Sequence, residues 1–467
     1  MARINTNISA LTAQRNLNHA YSSLNDTMQH LSTGLRISSG KDDPAGLIIS
    51  ERLRSEIAAA GQAVSNTQRA GLIVATTEGA LDEVASLLAD IQAKIVQASN
   101  QGAMSDDEIR ANQLQIDQSI DSITRIANTA SFGGRRLLDG SLQYTASGVA
   151  TDKIAAYQVH GAQFGTASAI PVRVKMMNPA ERAARGFPFV ALSAPVTIEV
   201  SGRLGTTSLS FGTSTTCSQI AEAIAAVKDA TGVSAATSGS TALRIGSINY
   251  GSKEFARIKI LSGGGGLTDG EDSGANAEVT INGTLADASG NHLAVKTSSI
   301  DLEMDVADTF AAGSTTTFDI TGGGALFQVG PHVNTNLQVN LGVQSVAASN
   351  LGDPVVGYLA TVKTGGPNSL TNGKFSEASQ IVDKAIDQIS LLRGRLGSFE
   401  RGTLDTNANQ LNIAIENLTS ADSSIRDADF AYETSQLARN QILVSAGTTV
   451  LTLANQTTQA VLKLLGG

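Results

Sequence analysis

The chain has 467 residues, enough for two to four domains, with a formal net charge of −9 and a pI near 5.1. Because no run of Lys or Arg interleaves with aromatic residues, this acidic composition argues against a nucleic-acid partner. Cys217 is the only cysteine and Trp is absent, so no intrachain disulfide can form and the core must use small aliphatic contacts. No stretch approaches the roughly 20 apolar residues of a membrane span, so no membrane partner is expected. The first residues lack the apolar core of a secretory signal.

The N-terminal arm predicts three helices. The first ends near Leu35, and its apolar positions alternate steps of four and three residues, the pattern of a coiled-coil seam: Leu17, Tyr21, Leu24, Met28, Leu31 and Leu35. Pro44 disfavours helical geometry at Asp43 and predicts a break. The second helix is expected from about 50 to 100 and the third over 105–129, and their packing faces carry Leu81, Val84, Leu88, Ile91, Ile95, Ile116, Ile120 and Ile123.

The C-terminal arm predicts a second rod, a joint at Asp427–Asp429 and a final helix. The rod repeats the apolar spacing with Ile389, Leu392, Leu396, Leu411, Ile415 and Leu418. Between 434 and 467 the only charged side chains are Arg439 and Lys463. Since so uncharged a helix is not expected to face water all round, the other terminus or another copy of the chain should cover it.

The central region predicts strands and turns, because seven of the eight prolines lie between Pro171 and Pro367. Alternating strands at 196–200 and 208–211, a helix at 218–230 and strands near 234, 243 and 258 indicate a ββαββ module. Further strands are expected at 278–282, 299–305 and 315–320. The fold class is therefore α+β, with a long coiled-coil helical bundle formed by both termini and a β-rich central region.

Several segments resemble the bacterial flagellins. The match is carried by LSTGLRISSGKDDPAG at 31–46, SFGGRRLLDG at 131–140, FQVG at 327–330 with AASNLG at 347–352, and IRDADFA at 425–431. The match continues in QIL at 441–443. These motifs occur in the family's order over about 140 N-terminal and 120 C-terminal residues. The ββαββ module is also similar to repeats of flagellin outer domains and filament cap proteins.

The resemblance implies a layered subunit that polymerises head-to-tail into the flagellar filament used for swimming. Residues 1–44 and 425–467 would form an inner domain, 45–145 and 345–424 a rod domain with a β-hairpin, and 146–344 a surface-exposed outer region. It also implies an extracellular protein exported without a cleaved signal peptide, with other copies of the chain, an export chaperone, and cap and junction proteins as partners. The rival interpretations are a hook-associated junction protein and a filament subunit with an adhesive outer domain.

The inner helices are expected to fold on assembly and to pack between subunits, with packing inside one chain as the alternative. The rod helices are expected to pack mainly within one chain, with contacts between subunits on their remaining faces. The predicted self-assembly residues are Ile4, Ile8, Leu11, Leu17, Tyr21, Leu24, Met28, Leu31, Leu35, Leu437, Leu443, Val450, Leu453, Val461, Leu464 and Leu465. Polar residues of the last helix would line a neutral lumen: Asn440, Gln441, Asn455, Gln456 and Gln459.

Enzyme chemistry is not expected. The five histidines never have the spacing of His-Glu-x-x-His, and Asp269–Asp272 lacks the alternating ligands of an EF-hand loop. No catalytic residue, cofactor or metal is therefore predicted. Flagellins sensed by the vertebrate Toll-like receptor usually carry Arg where this chain has Asp90, which predicts weak or no activation of that receptor.

Overall fold

The computed structural model describes the backbone of residues 6–465 apart from 166, 189–190, 238–241, 264–265 and 298, and the helical side chains as far as residue 457. The chain divides into two compact units. The first consists of Met1–Gln68, Val329–His332 and Asp405–Gly467, and the second of Arg69–Gln328 and Val333–Leu404.

The α-helices lie mainly in the two arms. They are α1 (Ile8–Thr33), α2 (Pro44–Ala98), α3 (Asp106–Thr129), α4 (Cys217–Ala226), α5 (Lys228–Thr231), α6 (Phe375–Phe399), α7 (Thr406–Arg426) and α8 (Phe430–Leu465). A π-helical segment, Glu400–Asp405, separates α6 from α7, and short 3-10 segments occur at Thr335–Leu337, Leu359–Val362 and Leu370–Asn372.

Local chemistry sets the helix ends. Gly34 terminates α1 in the left-handed conformation, with φ +72°. The expectation that the second helix begins near residue 50 is wrong, because α2 begins at Pro44. Proline suits the first helical turn, and the Asp43 carboxylate accepts a hydrogen bond from the Gly46 amide at 2.9 Å. A capping box formed by Ser105 and Glu108 opens α3.

The strands lie in the middle of the chain, between α3 and α6. Those before α4 are β1 (Ser131–Phe132), β2 (Arg135–Arg136), β3 (Thr145–Ser147), β4 (Ile154–Ala162), β5 (Ile170–Asn178), β6 (Ala184–Pro188), β7 (Val196–Gly202) and β8 (Thr206–Phe211). Those after α5 are β9 (Val233–Thr237), β10 (Ala242–Ser247), β11 (Phe255–Gly263), β12 (Gly270–Ser273), β13 (Glu278–Ile281), β14 (Thr284–Leu285), β15 (Asp287–Ser289), β16 (His292–Lys296), β17 (Ile300–Val306), β18 (Thr315–Gly322), β19 (Ala325–Gln328), β20 (Gln338–Leu341), β21 (Gly352–Asp353) and β22 (Gly357–Tyr358).

The predicted ββαββ module is present in this order as β7, β8, α4, β9 and β10. Its two hairpins belong to different sheets, one ordered β12-β11-β7-β8 and the other β6-β10-β9. The single helix expected at 218–230 is divided at Val227 into α4 and α5. Both sheets and α4 share one apolar core whose central residues include Ile198, Ile220, Ile224, Leu243 and Ile258.

A second β core lies between the sheets ordered β14-β13-β5-β18-β3 and β15-β16-β17-β4. Alternating residues of each strand point into this core, as in β17, where Leu302 and Met304 are buried while Glu303 between them is only half-buried. The charged residues of β17 therefore lie on the face turned away from the core.

Candidate assembly surface

Helices α1 and α8 pack side by side within the first unit. Ala13 and Leu17 of α1 are buried, and Gly447 of α8 lies against Leu17. A Cβ atom placed on Gly447 would stand 3.0 Å from Leu17 Cδ1. The missing side chain at Gly447 thus allows the two helices to approach closely.

Polar contacts fix the register of this helix pair. Asn440 Nδ2 donates to Thr27 Oγ1 at 3.1 Å, and both side chains are buried. His30 Nδ1 lies 2.9 Å from Glu433 Oε1, and Asn7 Nδ2 donates to the Ala454 carbonyl at 2.9 Å. Because the contacts are spread along both helices, sliding one helix along the other would break all of them.

The segment that follows α1 forms backbone hydrogen bonds with the segment that precedes α8. The Arg36 amide donates to the Arg426 carbonyl at 2.7 Å and the Ala428 amide to the Gly34 carbonyl at 2.9 Å. Asp42 closes the loop by accepting hydrogen bonds from the amides of Ser38 and Ser39 at 3.0 and 2.9 Å. The Ser39 and Ser38 backbone hydrogen bonds lower the pKa of Asp42 to about 2.

Large apolar side chains on the helix pair remain exposed. They are Ile8, Leu11, Tyr21 and Met28 on α1 and Phe430, Tyr432, Ile442, Leu443, Val450 and Leu453 on α8. Leu11 and Leu453 are about 60% exposed, at 61% and 60%. Such a density of exposed apolar groups marks an interaction surface.

The predicted seam of the inner helices is not one surface. Leu17 is buried inside the chain, Leu24, Leu31, Leu35 and Leu437 are half-buried, and Tyr21 and Met28 are exposed. The assignment of Leu17 to contacts between subunits is therefore wrong for this structure, because α8 of the same chain already covers it. Ile4 and the side chains of Val461, Leu464 and Leu465 lie outside the described residues.

The predicted rod residues are mostly buried within their units. In the second unit this holds for Leu81, Val84, Leu88, Ile91, Ile95, Ile116, Ile120, Ile123, Ile389, Leu392 and Leu396. In the first unit Leu411 packs with Ala60 and Ala63, and Ile415 is half-buried against the same cluster. Leu418 is also half-buried.

Sequence reasoning missed the polar residues of the helix pair. Asn440 was expected to face a lumen, and this is wrong, because its side chain is buried against Thr27. Gln441, Asn455 and Gln456 are exposed as that hypothesis requires. The side chain of Gln459 lies outside the described part of the chain. The small residue Gly447 inside an otherwise regular helix was the one local signal of a close contact.

The second unit contains a charged cluster. Glu303 of β17 accepts a hydrogen bond from Arg395 of α6, and its carboxylate lies 3.5 Å from His160 Nε2. Burial acts to raise the pKa of Glu303, but the His160 hydrogen bond and the Arg395 charge outweigh it and lower this pKa to about 2. His292 Nδ1 lies 2.7 Å from Asp305 Oδ1, and this hydrogen bond raises the pKa of His292.

This cluster borders a cavity of about 350 Å³. Because the opposite charges of the cluster compensate one another, we interpret the cluster as a structural ion-pair network. Among the residues with described positions, no three His, Cys, Asp or Glu side chains form a group that could hold a metal ion. None of the described helices is both long and apolar enough to cross a membrane.

Comparisons with known proteins agree with the two-arm organisation. Residues 4–143 match the family described as the bacterial flagellin N-terminal helical region, and residues 379–465 the C-terminal helical region. The B-type flagellin of Pseudomonas aeruginosa is 31% identical and polar flagellin F of Vibrio parahaemolyticus 30% identical, each alignment covering 99% of both chains. The flagellin of Salmonella typhimurium is 29% identical with the same coverage.

Similar chains also occur among the solved structures. FliC from Burkholderia pseudomallei is 15% identical, with a TM-score of 0.24, over 71% of this chain and 98% of its own. The flagellar junction protein FlgL from Legionella pneumophila is 12% identical, with a TM-score of 0.29, over 81% of this chain and 100% of its own.

Proposed function

The chain belongs to the bacterial flagellin family and is a structural subunit of the extracellular flagellar filament, and from this premise we propose how it assembles. Copies add head-to-tail, and each new copy buries the exposed apolar residues of α1 and α8 against several neighbours. Repeated contacts that do not close on themselves generate a helical polymer. The observation that carries the proposal is the exposure of Ile8, Leu11, Ile442, Val450 and Leu453 on one helix pair.

The balance of free energies favours addition to an existing filament end. Ordering the terminal helices costs about 1–2 kcal/mol per residue in backbone entropy, whereas burial of apolar surface returns about 25 cal/mol per Å². The contact between α1 and α8 leaves many apolar groups in water, so one chain alone gains little from folding these helices. A lattice position with several neighbours supplies the remaining burial, and the helices fold there.

We propose the layering expected from the sequence, and the exposed apolar residues of α1 and α8 support the inner position of the termini. Residues 1–44 and 425–467 form the inner domain, 45–145 and 345–424 the rod, and 146–344 the outer region. The exposed amides of Gln441, Asn455 and Gln456 line a neutral lumen through which unfolded subunits pass. The subunit is exported without a cleaved signal peptide. An export chaperone, the cap protein and the junction proteins are its partners in export and assembly.

Seeded polymerisation of the purified full-length chain tests the assembly step. We expect Ile442→Ser combined with Leu453→Ser to raise the critical monomer concentration at least tenfold, because two exposed apolar side chains are lost, each worth about 1.5–3 kcal/mol on full burial. Asn455→Ser on the same helix is the matched control and should polymerise like the unmodified chain. Equal growth of all three proteins would show that α8 does not drive assembly.

Receptor recognition is a separate expectation. Asp90 is exposed on α2, where the receptor-activating members of the family usually present Arg. We propose that purified monomer activates the vertebrate Toll-like receptor weakly or not at all, and that Asp90→Arg raises the response in a reporter cell. A strong response to the unmodified monomer would contradict this proposal.

A further inference from the structure

The edge of strand β8 carries unpaired backbone groups. In the β7–β8 hairpin the Gly202 amide donates to the Gly205 carbonyl at 3.0 Å, and the register pairs Ser201 with Thr206 and Glu199 with Ser208. Antiparallel pairs alternate between bonded and non-bonded, so the amides and carbonyls of Thr206, Ser208 and Ser210 point away from β7. Nothing in the described part of the chain donates to or accepts from these six groups.

Other outer strands of the larger sheets are short, charged or covered. β14, β3 and β15 have only two or three residues, and β12 carries Glu271 and Asp272. On β4 the His160 carbonyl accepts a hydrogen bond from the Gly342 amide. Proteins normally protect sheet edges by these devices.

Among the residues that the structure describes, none protects strand β8 in these ways. It has six residues in regular register with β7, and no charged residue or proline occurs from Leu204 to Ala221. Leu209 and Phe211 pack against the core of the module but remain half-buried at its margin. A further strand beside β8 would pair the backbone groups and cover these two side chains.

We propose that β8 pairs antiparallel with β8 of a second copy of this chain. The outward groups are symmetric about Ser208, so two copies related by a twofold axis place Ser208 opposite Ser208 and Thr206 opposite Ser210. The absence of charge allows the two edges to approach without repulsion. A filament displays many copies, which raises the effective concentration of partners.

Cysteine cross-linking on the full-length chain tests this register. In a bonded antiparallel pair the facing Cα atoms are about 5.5 Å apart, within the range that a disulfide spans. Ser208→Cys should therefore form a disulfide-linked dimer under mild oxidation. Ser210→Cys is the matched control, because its two copies would lie about 14 Å apart. Cys217 is buried, so the unmodified chain should not cross-link.

A backbone variant gives a second measurement. Ser208→Pro removes the central outward amide but no hydrogen bond to β7, and proline is tolerated on edge strands. We expect Ser208→Pro to lower lateral association several-fold, both between monomers and between filaments, as measured by light scattering. Ser208→Ala should associate like the unmodified chain. No dimer from Ser208→Cys, or equal dimers from both cysteine variants, would overturn the pairing. Polymerisation is measured separately, so failure of this pairing is distinguishable from failure of the proposed assembly.

Discussion

Asn440 on α8 donates a hydrogen bond to the hydroxyl of Thr27 on α1, although 413 positions separate them in the chain. The Thr27 hydroxyl in turn donates to the Ser23 carbonyl at 2.8 Å. A buried donor left without its acceptor costs about 1–3 kcal/mol. The two residues therefore set which face of α8 meets α1, and the same choice decides which apolar residues stay exposed.

Thr27→Val should weaken the α1–α8 pair, because it keeps the shape of the side chain but leaves the Asn440 amide without an acceptor. We expect a loss of about 1–3 kcal/mol, seen as a lower temperature of filament dissociation. Thr27→Ser retains the hydroxyl and is the control for the loss of oxygen. An unchanged dissociation temperature in Thr27→Val would mean that this hydrogen bond contributes nothing to filament stability.

Gly447 should tolerate alanine but not valine. Leu17 Cδ1, the flexible end of its side chain, can move the few tenths of an ångström that a Cβ requires, and alanine improves helix propensity by about 0.5–1 kcal/mol. The larger valine would push α1 and α8 apart. Filament dissociation temperatures should therefore fall for Gly447→Val and change little for Gly447→Ala.

Gly394 on α6 provides the comparison, because nothing lies within 4 Å of a Cβ placed there. Gly394→Ala and Gly394→Val should both be tolerated. Equal effects of valine at positions 394 and 447 would indicate that helix propensity, and not the contact with Leu17, determines the outcome.

Periodicity predicted the elements that depend on neighbouring residues. The rod faces at Leu81–Ile95 and Ile116–Ile123 and the capping box at Ser105 follow from local spacing, and the structure buries those faces. The spacing of apolar residues did not reveal which other element packs against a given apolar face of a helix. Leu17 and Tyr21 belong to the same spacing pattern, yet α8 buries the first and leaves the second exposed.

Contacts between distant elements gave no local signal. The Glu303 cluster joins β4, β17 and α6 through residues at least 92 positions apart, and a lone carboxylate in a strand looks like an ordinary surface residue. The edge of β8 likewise depends on the order of strands in a sheet. Neither feature can be derived from spacing along the chain.

The Asp42 loop should depend on pH below about 4. The folded-state pKa of Asp42 is lowered to about 2 from 3.8, so its contribution to stability is present above 3.8 and lost as the pH falls through 2. We expect the protection factors of the Ser38 and Ser39 amides against hydrogen exchange to fall over that range. Asp42→Asn should exchange faster at neutral pH and show a flatter profile, while Asp26→Asn on α1 serves as the control. Identical profiles for Asp42→Asn and the unmodified chain would refute the assignment.

Glu303 should stabilise the contact between β17 and α6 in a pH-dependent way. Its folded-state pKa of about 2 lies below the ordinary 4.5, so the contribution is complete above 4.5 and disappears as the pH falls towards 2. His160, His292 and Arg395 are the charged or titratable groups that face it. At pH 7, Glu303→Gln should lower the free energy of unfolding by about 1–3 kcal/mol. Urea unfolding, followed by hydrogen exchange of the β17 amides, measures this loss. The difference between the variant and the unmodified chain should vanish near pH 2.

Asp301 on the same strand supplies the matched control for Glu303. It pairs at 3.6 Å with Lys296, whose side chain is 84% exposed, and an exposed pair contributes at most about 1 kcal/mol. His292 has the opposite dependence: its pKa is raised by Asp305, so its contribution is present below 6.5 and lost as the pH rises through the folded value. If Asp301→Asn and Glu303→Gln lower the free energy of unfolding equally, the contacts of Glu303 with Arg395 and His160 do not stabilise the fold. A larger loss for Glu303→Gln that fades in acid requires those contacts, because charge removal alone is common to both variants.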